Sequence, residues 1–416
     1  MATNESVKKV VLAYSGGLDT SVILPWLKEK YGCEVIALVA DVGQGDQELH
    51  GIEKKARASG ASRCEIADLR QEFAEQYCFK MLQAGAVYEH TYLLGTSIAR
   101  PLIAKAQVQC ARRYKADAVA HGATGKGNDQ VRFELTYMAL APELTIISPW
   151  KDPSFELTSR EAALEYAKAR RIPVAQTKQK IYSRDRNLWH ISHEGADLED
   201  PRNEPKDDLW VMTVPVKRAP AAPAYVQVDF ASGMPVALDG VRLAGHELVA
   251  RLNAVAGKHA VGQVHLVENR LVGIKSRGAY ETPGGTVLYE AIRALESITL
   301  DRETLHYKQQ VALKYAELIY YGQYFCPLRE AIDAFVASVE RPVTGSVRVK
   351  LFKGRATVAG VQSPHSLYDP ALASFVMGEE YRPADATGFI KLFGLPMKAA
   401  AAARCAKPRP RKRPGR

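Results

Sequence analysis

The chain has 416 residues, 47% of them apolar and 25% charged, the proportions of a globular protein with room for two or three domains. No apolar run is long enough to cross a bilayer, and Met1 to Ser6 lack a basic region followed by an apolar core, so no secretory signal and a cytoplasmic location are expected. The net charge of +10 sits mostly at the end, where Lys398 to Arg416 hold eight Lys or Arg and no Asp or Glu. The rest is nearly neutral, so nucleic acid is expected at most as a loose partner of this basic tail. Cysteines 33, 64, 78, 110, 326 and 405 form no Cys-x-x-Cys pair and no zinc-finger spacing, which speaks against a protein-held metal or a disulfide framework.

In chain order, Val10 to Ala13 form a short apolar run with the signature of a buried parallel strand. Gly16 and Gly17 follow, then Asp19, Thr20 and Ser21 as cap candidates for a helix through Val22 to Tyr31, with Gly32 as its stop. Pro25 either kinks that helix or sits in its first turn. Strand, glycine turn and helix in this order make an anion site, because N–H groups at a helix start lack partners and lie at its positive end. Ser15, Thr20 and Ser21 add hydroxyl donors. The two glycines let the backbone approach closely.

Further strands are expected at Glu34 to Ala40, Arg63 to Ala67, Asp117 to Gly122 and Thr145 to Ser148. Helices are expected at Gln47 to Ser59, Arg70 to Ala84, Ser97 to Tyr114 and Gln130 to Leu140. This alternation predicts an α/β domain, a doubly wound parallel sheet covered on both faces, with ligands at the carboxyl ends of its strands. The polar loop Asp41 to Asp46 lies at such an end, where its two carboxylates either hold Mg²⁺ or cap turns.

The loop Gly122 to Arg132 lies at another. It is not a Walker loop, since Ala120 stands at the first glycine position and Lys126 is followed by Gly127. Thr124, Asn128 and Asp129 supply donors and a carboxylate, although Asn128 or Asp129 equally suits a plain N-cap. Arg132 can grip a carboxylate through two bonds.

From about residue 176 the pattern becomes α+β. Strands are expected at Trp210 to Val216, Ala224 to Phe230, Gly262 to Glu268, Gly345 to Lys353 and Arg355 to Gln362. Helices are expected at Gly245 to Ala256, Thr282 to Glu296, Arg302 to Tyr321 and Cys326 to Val339. The boundaries expected are 1–175 for the nucleotide-binding domain, 176–392 for the second domain and 393–416 for a disordered basic tail.

The composition Ser15-Gly-Gly-Leu-Asp-Thr-Ser21 resembles the pyrophosphatase loop of ATP-dependent adenylating synthetases, an adenine nucleotide α-hydrolase-like fold. Ala13 to Ser21, Tyr92 to Pro101, His121 to Glu134, Asn187 to Ser192, Val267 to Arg270, Lys275 to Gly284 and Asp385 to Lys391 together resemble the argininosuccinate synthase family. That resemblance implies a ligase in arginine biosynthesis, which joins L-citrulline and L-aspartate at the expense of ATP cleaved to AMP and diphosphate. Mg²⁺ would arrive with the ATP, with no other cofactor, and the chain would be a homotetramer.

By the same resemblance Ala13, Tyr14, Ser15, Gly16, Gly17, Leu18, Asp19, Thr20, Ser21, Ala40 and Gly122 bind ATP. Tyr92, Ser97, Asn128, Arg132, Ser183, Ser192, Glu268 and Tyr280 hold citrulline, while Thr124, Asn128 and Asp129 place aspartate. From the residues alone, Tyr92 beside Leu93 and Leu94 equally reads as a core ring, and Ser183 and Ser192 as turn residues. His190 and His193 read as structural, with no third ligand at a suitable spacing. Past Lys391 the C-terminal helix of the family is expected to give way to an alanine run. A tRNA-modifying enzyme on the same loop would need a cysteine arrangement not evident here, and a regulatory ATP-binding protein would show losses among the substrate residues.

Overall fold

The computed structural model describes residues 7–125, 127–173, 182–374 and 381–405. Lys126, the expected boundary at 175/176 and the basic residues after 405 lie outside them. The first sheet consists of β1 (Lys9–Ala13), β2 (Glu34–Asp41), β3 (Arg63–Asp68), β4 (Ala118–Ala120) and β5 (Thr145–Ile147), all parallel, in the order β3-β2-β1-β4-β5. Alternation along the strands divides the core in two. Val10, Leu12, Val35 and Ala37 pack with Ile23, Leu24 and Leu27 of the helix Leu18–Tyr31. Val11, Ile36 and Leu38 face the other side, with Ile98, Leu102 and Val108 of the helix Gly95–Tyr114. The chain leaves β1 toward β2 and β3 and later returns to β1's other edge as β4, which opens a crevice at the carboxyl ends of β1 and β4.

Local chemistry moved several expected boundaries. Gly17, not Asp19, Thr20 or Ser21, is the N-cap of the first helix, and no side chain caps it. The Ser21 hydroxyl is taken by Tyr14, at 3.1 Å, and that of Thr20 lies 3.2 Å from Ser15 Oγ. Gly32, at φ +63°, does end the helix, with Pro25 in its interior. The helix expected from Gln47 to Ser59 is broken by Gly51 at φ +71° into Asp46–Leu49 and Ile52–Ala58. Residues Arg70–Gln83 are helical throughout but wind as a π-turn over Phe73–Cys78. Arg160–Ala169, which the periodicity did not single out, is a helix capped by the Ser159 hydroxyl on Ala162 N–H.

The second half builds two antiparallel sheets. One is β6 (Ser183–Arg186), β7 (Ile191–Glu194), β11 (Gln263–Asn269) and β12 (Lys275–Glu281), in the order β11-β12-β7-β6. The other joins β8 (Ala224–Ala231), β9 (Met234–Leu238), β10 (Val241–Arg242), β13 (Gly345–Phe352) and β14 (Arg355–Gln362), in the order β10-β9-β8-β13-β14. Helices Gly245–Lys258, Pro283–Thr299, Arg302–Tyr320 and Pro327–Val339 accompany them.

Trp210 to Val216 is not a strand. Instead the backbone N–H groups of Val211, Met212 and Thr213 all donate to the buried carboxylate of Glu281, at 2.7–2.9 Å. A carboxylate fed by three N–H groups holds this segment as a loop in place of a ladder. The β6–β7 turn docks on the loop after β2, where Leu188 N–H donates to Val42 O at 2.8 Å. Gly43, at φ +83°, is obligatory there, because a Cβ would stand 2.7 Å from that of Leu188.

Both halves belong to one compact unit, Met1–His365, and Ser366–Arg416 forms a second. In the second, Pro383–Phe393 and Leu395–Cys405 are helices. The alanine run therefore continues the chain as a helix as far as it is described, consistent with alanine's propensity.

Candidate functional site

Two adjoining cavities open at the carboxyl ends of β1, β2 and β4. The first, of about 340 Å³, is lined by Ala13, Tyr14, Ser15, Gly17, Asp19, Thr20, Ala40 and Gly122, together with Val39, Gln44, Phe133 and Arg186. The second, of about 400 Å³, is lined by Tyr92, Thr124, Asn128, Asp129, Arg132, Ser183, Ser192, Glu268 and Tyr280, with Thr96, Glu194 and Arg270. Ser15, Arg100, Gly122, Ala123, Asp129, Arg184 and Asp185 face both. The sheet of the first half thus supplies the floor of one cavity, and β6, β7, β11 and β12 wall the other.

At the first cavity the glycines have distinct reasons. Gly16 adopts φ +71°, and Gly17 N–H turns back onto Ser15 Oγ at 3.3 Å. Gly122 is where the next loop passes the helix start, since a Cβ there would stand 3.1 Å from Thr20 Cγ2. With no side-chain cap at Gly17, the first helical N–H groups remain open to an anion. Burial pushes the Asp19 carboxyl up, with Arg160 opposing.

In the second cavity charges and hydroxyls are fixed by one another. Glu268 accepts from the Tyr280 hydroxyl at 2.7 Å on one oxygen and from Tyr320 at 2.6 Å on the other. Arg132 donates to Tyr320 O at 3.0 Å and to Asp129 Oδ1 at 2.8 Å, and its guanidinium lies over the Tyr320 ring. Asn128 Oδ1 accepts from Leu271 N–H at 3.0 Å, tying the Gly122–Arg132 loop to the β11–β12 turn. Thr96 N–H donates to the Tyr92 hydroxyl at 3.1 Å.

The electrostatics favour holding over proton transfer. Burial pushes the Tyr92 hydroxyl up to about 12 and the Tyr280 hydroxyl well above its usual value, so both stay protonated donors. Burial pulls His190 down to about 3, which keeps it neutral, and its Nε2 meets Thr96 Oγ1 at 2.9 Å. Burial also raises Asp129, but Arg100 and Arg132 overcome it and keep the carboxyl below the usual range. An array of fixed donors and ionised groups of this kind orients amino-acid and phosphate charges.

Two family models match: "Arginosuccinate synthase N-terminal HUP domain" over residues 9–173 and "Arginosuccinate synthase C-terminal domain" over 182–400. The chain belongs to the argininosuccinate synthase family. It is 58% identical over 392 residues to the chloroplastic argininosuccinate synthase of Arabidopsis thaliana, covering 94% of this chain and 79% of that one. With the argininosuccinate synthase of Pelotomaculum thermopropionicum it shares 61% over 393 residues, 94% of this chain and 97% of the relative. As a member of the argininosuccinate synthase family, the chain is a ligase of arginine biosynthesis that uses ATP. Citrulline and aspartate become argininosuccinate, with AMP and diphosphate released.

Of the residues singled out from this synthase family's motifs, most line one of the two cavities. Gly16 lines a third space of about 490 Å³ beside the loop, with Ser15, His50 and Lys55. Leu18, Ser21 and Ser97 line none of these. Leu18 packs beside Val22 and Ala163, Ser21 is bonded to Tyr14, and Ser97 Oγ is buried beside the Tyr92 hydroxyl. His193 is structural as expected, 2.8 Å from Glu281 in the core.

Reading the sequence missed Thr96, Arg100, Arg184, Asp185, Glu194 and Arg270 as cavity residues, and Tyr320 behind Glu268. Arg100 and Arg270 lie inside quoted motifs, so their position was visible and their partners were not. Among the described residues no group of three or more His, Cys, Asp or Glu side chains is arranged to hold a metal, and no helix is long and apolar enough to cross a membrane.

Proposed function

We propose that the two cavities divide the substrates, with Mg-ATP in the first and the two amino acids in the second. The observation that carries this reading is their junction at Ser15, Gly122 and Asp129, where the α-phosphate of ATP and the ureido oxygen of citrulline would meet. In the first cavity the glycine loop and the open helix start suit the phosphates, with Ala13 to Ser21, Ala40 and Gly122 as the ATP set. Mg²⁺ travels on the ATP phosphates as part of that substrate, and the Asp19 carboxylate with the Ser15 and Thr20 hydroxyls are oxygen groups of this cavity that could face it.

In the second cavity Glu268 pairs with the citrulline ammonium and Arg132 with its carboxylate. Tyr92, Asn128, Ser183, Ser192 and Tyr280 complete that set, and Ser97, which does not line the cavity, joins it from beside Tyr92. Thr124, Asn128 and Asp129 receive aspartate. The ureido oxygen attacks the α-phosphorus and the bond to diphosphate breaks, forming citrullyl-adenylate. The aspartate amine then bonds to the ureido carbon, losing a proton as AMP leaves with the C–O electron pair.

The test follows diphosphate and AMP from Mg-ATP with both amino acids, each alone, or neither. Citrulline alone should support exchange of labelled diphosphate into ATP, and argininosuccinate should need both. In E268Q the KM for citrulline should rise at least tenfold with that for ATP little changed. Equal rises in both would overturn the division of the site. A homotetramer in the cytoplasm completes the reading. Supporting it are six free cysteines and the exposed Phe389, Ile390, Leu392 and Phe393 on the helix Pro383–Phe393, which suit burial between subunits. Light scattering on the purified protein tests the tetramer.

A further inference from the structure

Between the two cavities runs an unbroken line of alternating charge. Arg132 Nη1 donates to Asp129 Oδ1 at 2.8 Å, Arg100 Nε donates to Asp129 Oδ2 at 2.9 Å, and Arg100 Nη2 donates to Asp185 Oδ2 at 2.6 Å. Its four members come from three places. Arg100 projects from the helix Gly95–Tyr114, Asp129 and Arg132 from the start of Asp129–Leu140, and Asp185 from edge strand β6. Arg100, which lines both cavities as Asp129 and Asp185 do, is the member that ties the first half of the chain to β6. Its side chain is only 14% exposed, so its two carboxylate contacts act in a poorly solvated setting where they are strong.

We propose that Arg100 is a positioning residue of the second half-reaction, which aims the Asp129 carboxylate and keeps it ionised so that aspartate is captured through its ammonium group. This rests on the reading above that Asp129 receives aspartate. The geometry supports it directly. With one oxygen held by Arg100 and the other by Arg132, the carboxylate cannot rotate, and its remaining lone pairs point in fixed directions.

The electrostatics act in the same sense. Burial alone would favour the neutral acid, which cannot pair with an ammonium, and the two guanidiniums reverse that preference. The charged groups around Asp129 are Arg100 and Arg132 in direct contact, Asp185 beyond Arg100, and Arg184, Glu194, Glu268 and Arg270 along the same cavity. Of these only Arg100 bridges Asp129 to the opposite wall. The same bonds make Asp129 a weak base, so it orients the aspartate amine without taking its proton.

The experiment compares R100Q, R100K and D129N in two assays. One is citrulline-dependent exchange of labelled diphosphate into ATP, which needs no aspartate. The other is the pH dependence of the aspartate KM in the full reaction, with melting curves confirming that each variant is folded. In R100Q the aspartate KM should rise at least tenfold, and the pH below which it climbs should move upward, because Asp129 would then protonate more readily. Exchange should stay within about threefold of the parent. R100K, which restores the charge without the two-directional grip, should recover part of the affinity and most of the pH profile.

If exchange falls as steeply as the full reaction, Arg100 serves adenylation and the proposal is overturned. An unshifted pH profile in R100Q overturns it as well. If D129N leaves the aspartate KM unchanged, the assignment of aspartate to Asp129 fails. If D129N raises it while R100Q does not, only the role of Arg100 fails.

Discussion

Gly95 lies so close to His190 that a Cβ on it would stand 2.2 Å from the imidazole Cγ and 2.3 Å from its Cδ2. The contact joins the first turn of the helix Gly95–Tyr114 to the β6–β7 turn, and the Asn187 side chain adds a bond to Gly95 O at 3.0 Å. Both walls of the second cavity depend on it, because Thr96 and Arg100 follow on the helix and Ser192 follows His190. Replacing Gly95 by Ala must push the ring away. We expect a stability loss of about 1–3 kcal/mol, the usual cost of overpacking a tight site. The citrulline KM should rise further than that for ATP. Urea unfolding and steady-state kinetics check the two parts, and an unaltered citrulline KM would show that the contact is purely structural.

Tyr320 offers a cleaner probe of the citrulline end. Its hydroxyl donates to Glu268, its carbonyl accepts from Arg132, and its ring lies beneath the Arg132 guanidinium. Tyr320→Phe removes only the first of these. A hydrogen bond to a charged carboxylate contributes about 1.5–3 kcal/mol net, so the citrulline KM should rise roughly tenfold or more while the ATP KM stays within twofold. A variant with unchanged citrulline kinetics would mean that Tyr280 alone suffices to orient Glu268.

The loops of the site were legible because their chemistry is local. Ser15-Gly-Gly and the Gly122–Arg132 stretch announce a tight turn, open N–H groups and a helix start within a few residues, and the parallel order follows from the alternation of elements. Arg100 was not legible as a functional group, since what it does is defined by Asp129 and Asp185, 29 and 85 residues away. Tyr320 was hidden in the same way, as the last residue of an amphipathic helix whose hydroxyl meets a strand residue 52 positions earlier. Ser21 and Thr20 have the composition of caps, and only the neighbouring Tyr14 and Ser15 hydroxyls turn them inward. Short strands such as β6 and β7 are too brief for period-two alternation to show.

The loop Trp210 to Val216 is where a strand-like composition lost to a single buried side chain. Glu281 is fully buried and accepts from Val211, Met212 and Thr213 N–H, from the Thr213 hydroxyl at 2.6 Å and from His193 Nε2. Glu281→Ala would strand all of these donors without water. We expect a loss of about 3–5 kcal/mol, the range for breaking a buried charged network by removing one member. Denaturant titration measures it. A loss below about 1 kcal/mol would mean that water or a rearranged loop replaces the carboxylate easily.

Lys308 sits between two carboxylates, 2.6 Å from Glu296 and 2.6 Å from Glu340, with all three side chains buried. One cation cannot neutralise two anions, and Lys308 is shared between Glu340 and Glu296. Burial therefore pushes the Glu340 carboxyl up to about 7, with Lys308 opposing and Glu296 adding to the rise. The folded state then binds a proton that the unfolded chain, with an ordinary glutamate, releases near 4.5. Folding takes up that proton between about pH 4.5 and 7, so this group's contribution falls as pH rises through that window and is level above it. Other carboxylates act in the opposite sense, and the comparison must be with Glu340→Gln, which keeps the shape and cannot ionise. The stability of that variant relative to the parent should increase by about 3 kcal/mol from pH 4.5 to pH 7.5, following from the shift at 1.36 kcal/mol for each pH unit. Urea unfolding of both proteins across this range decides it, and parallel curves would show that Glu340 is ionised throughout with Lys308 alone as its counter-charge.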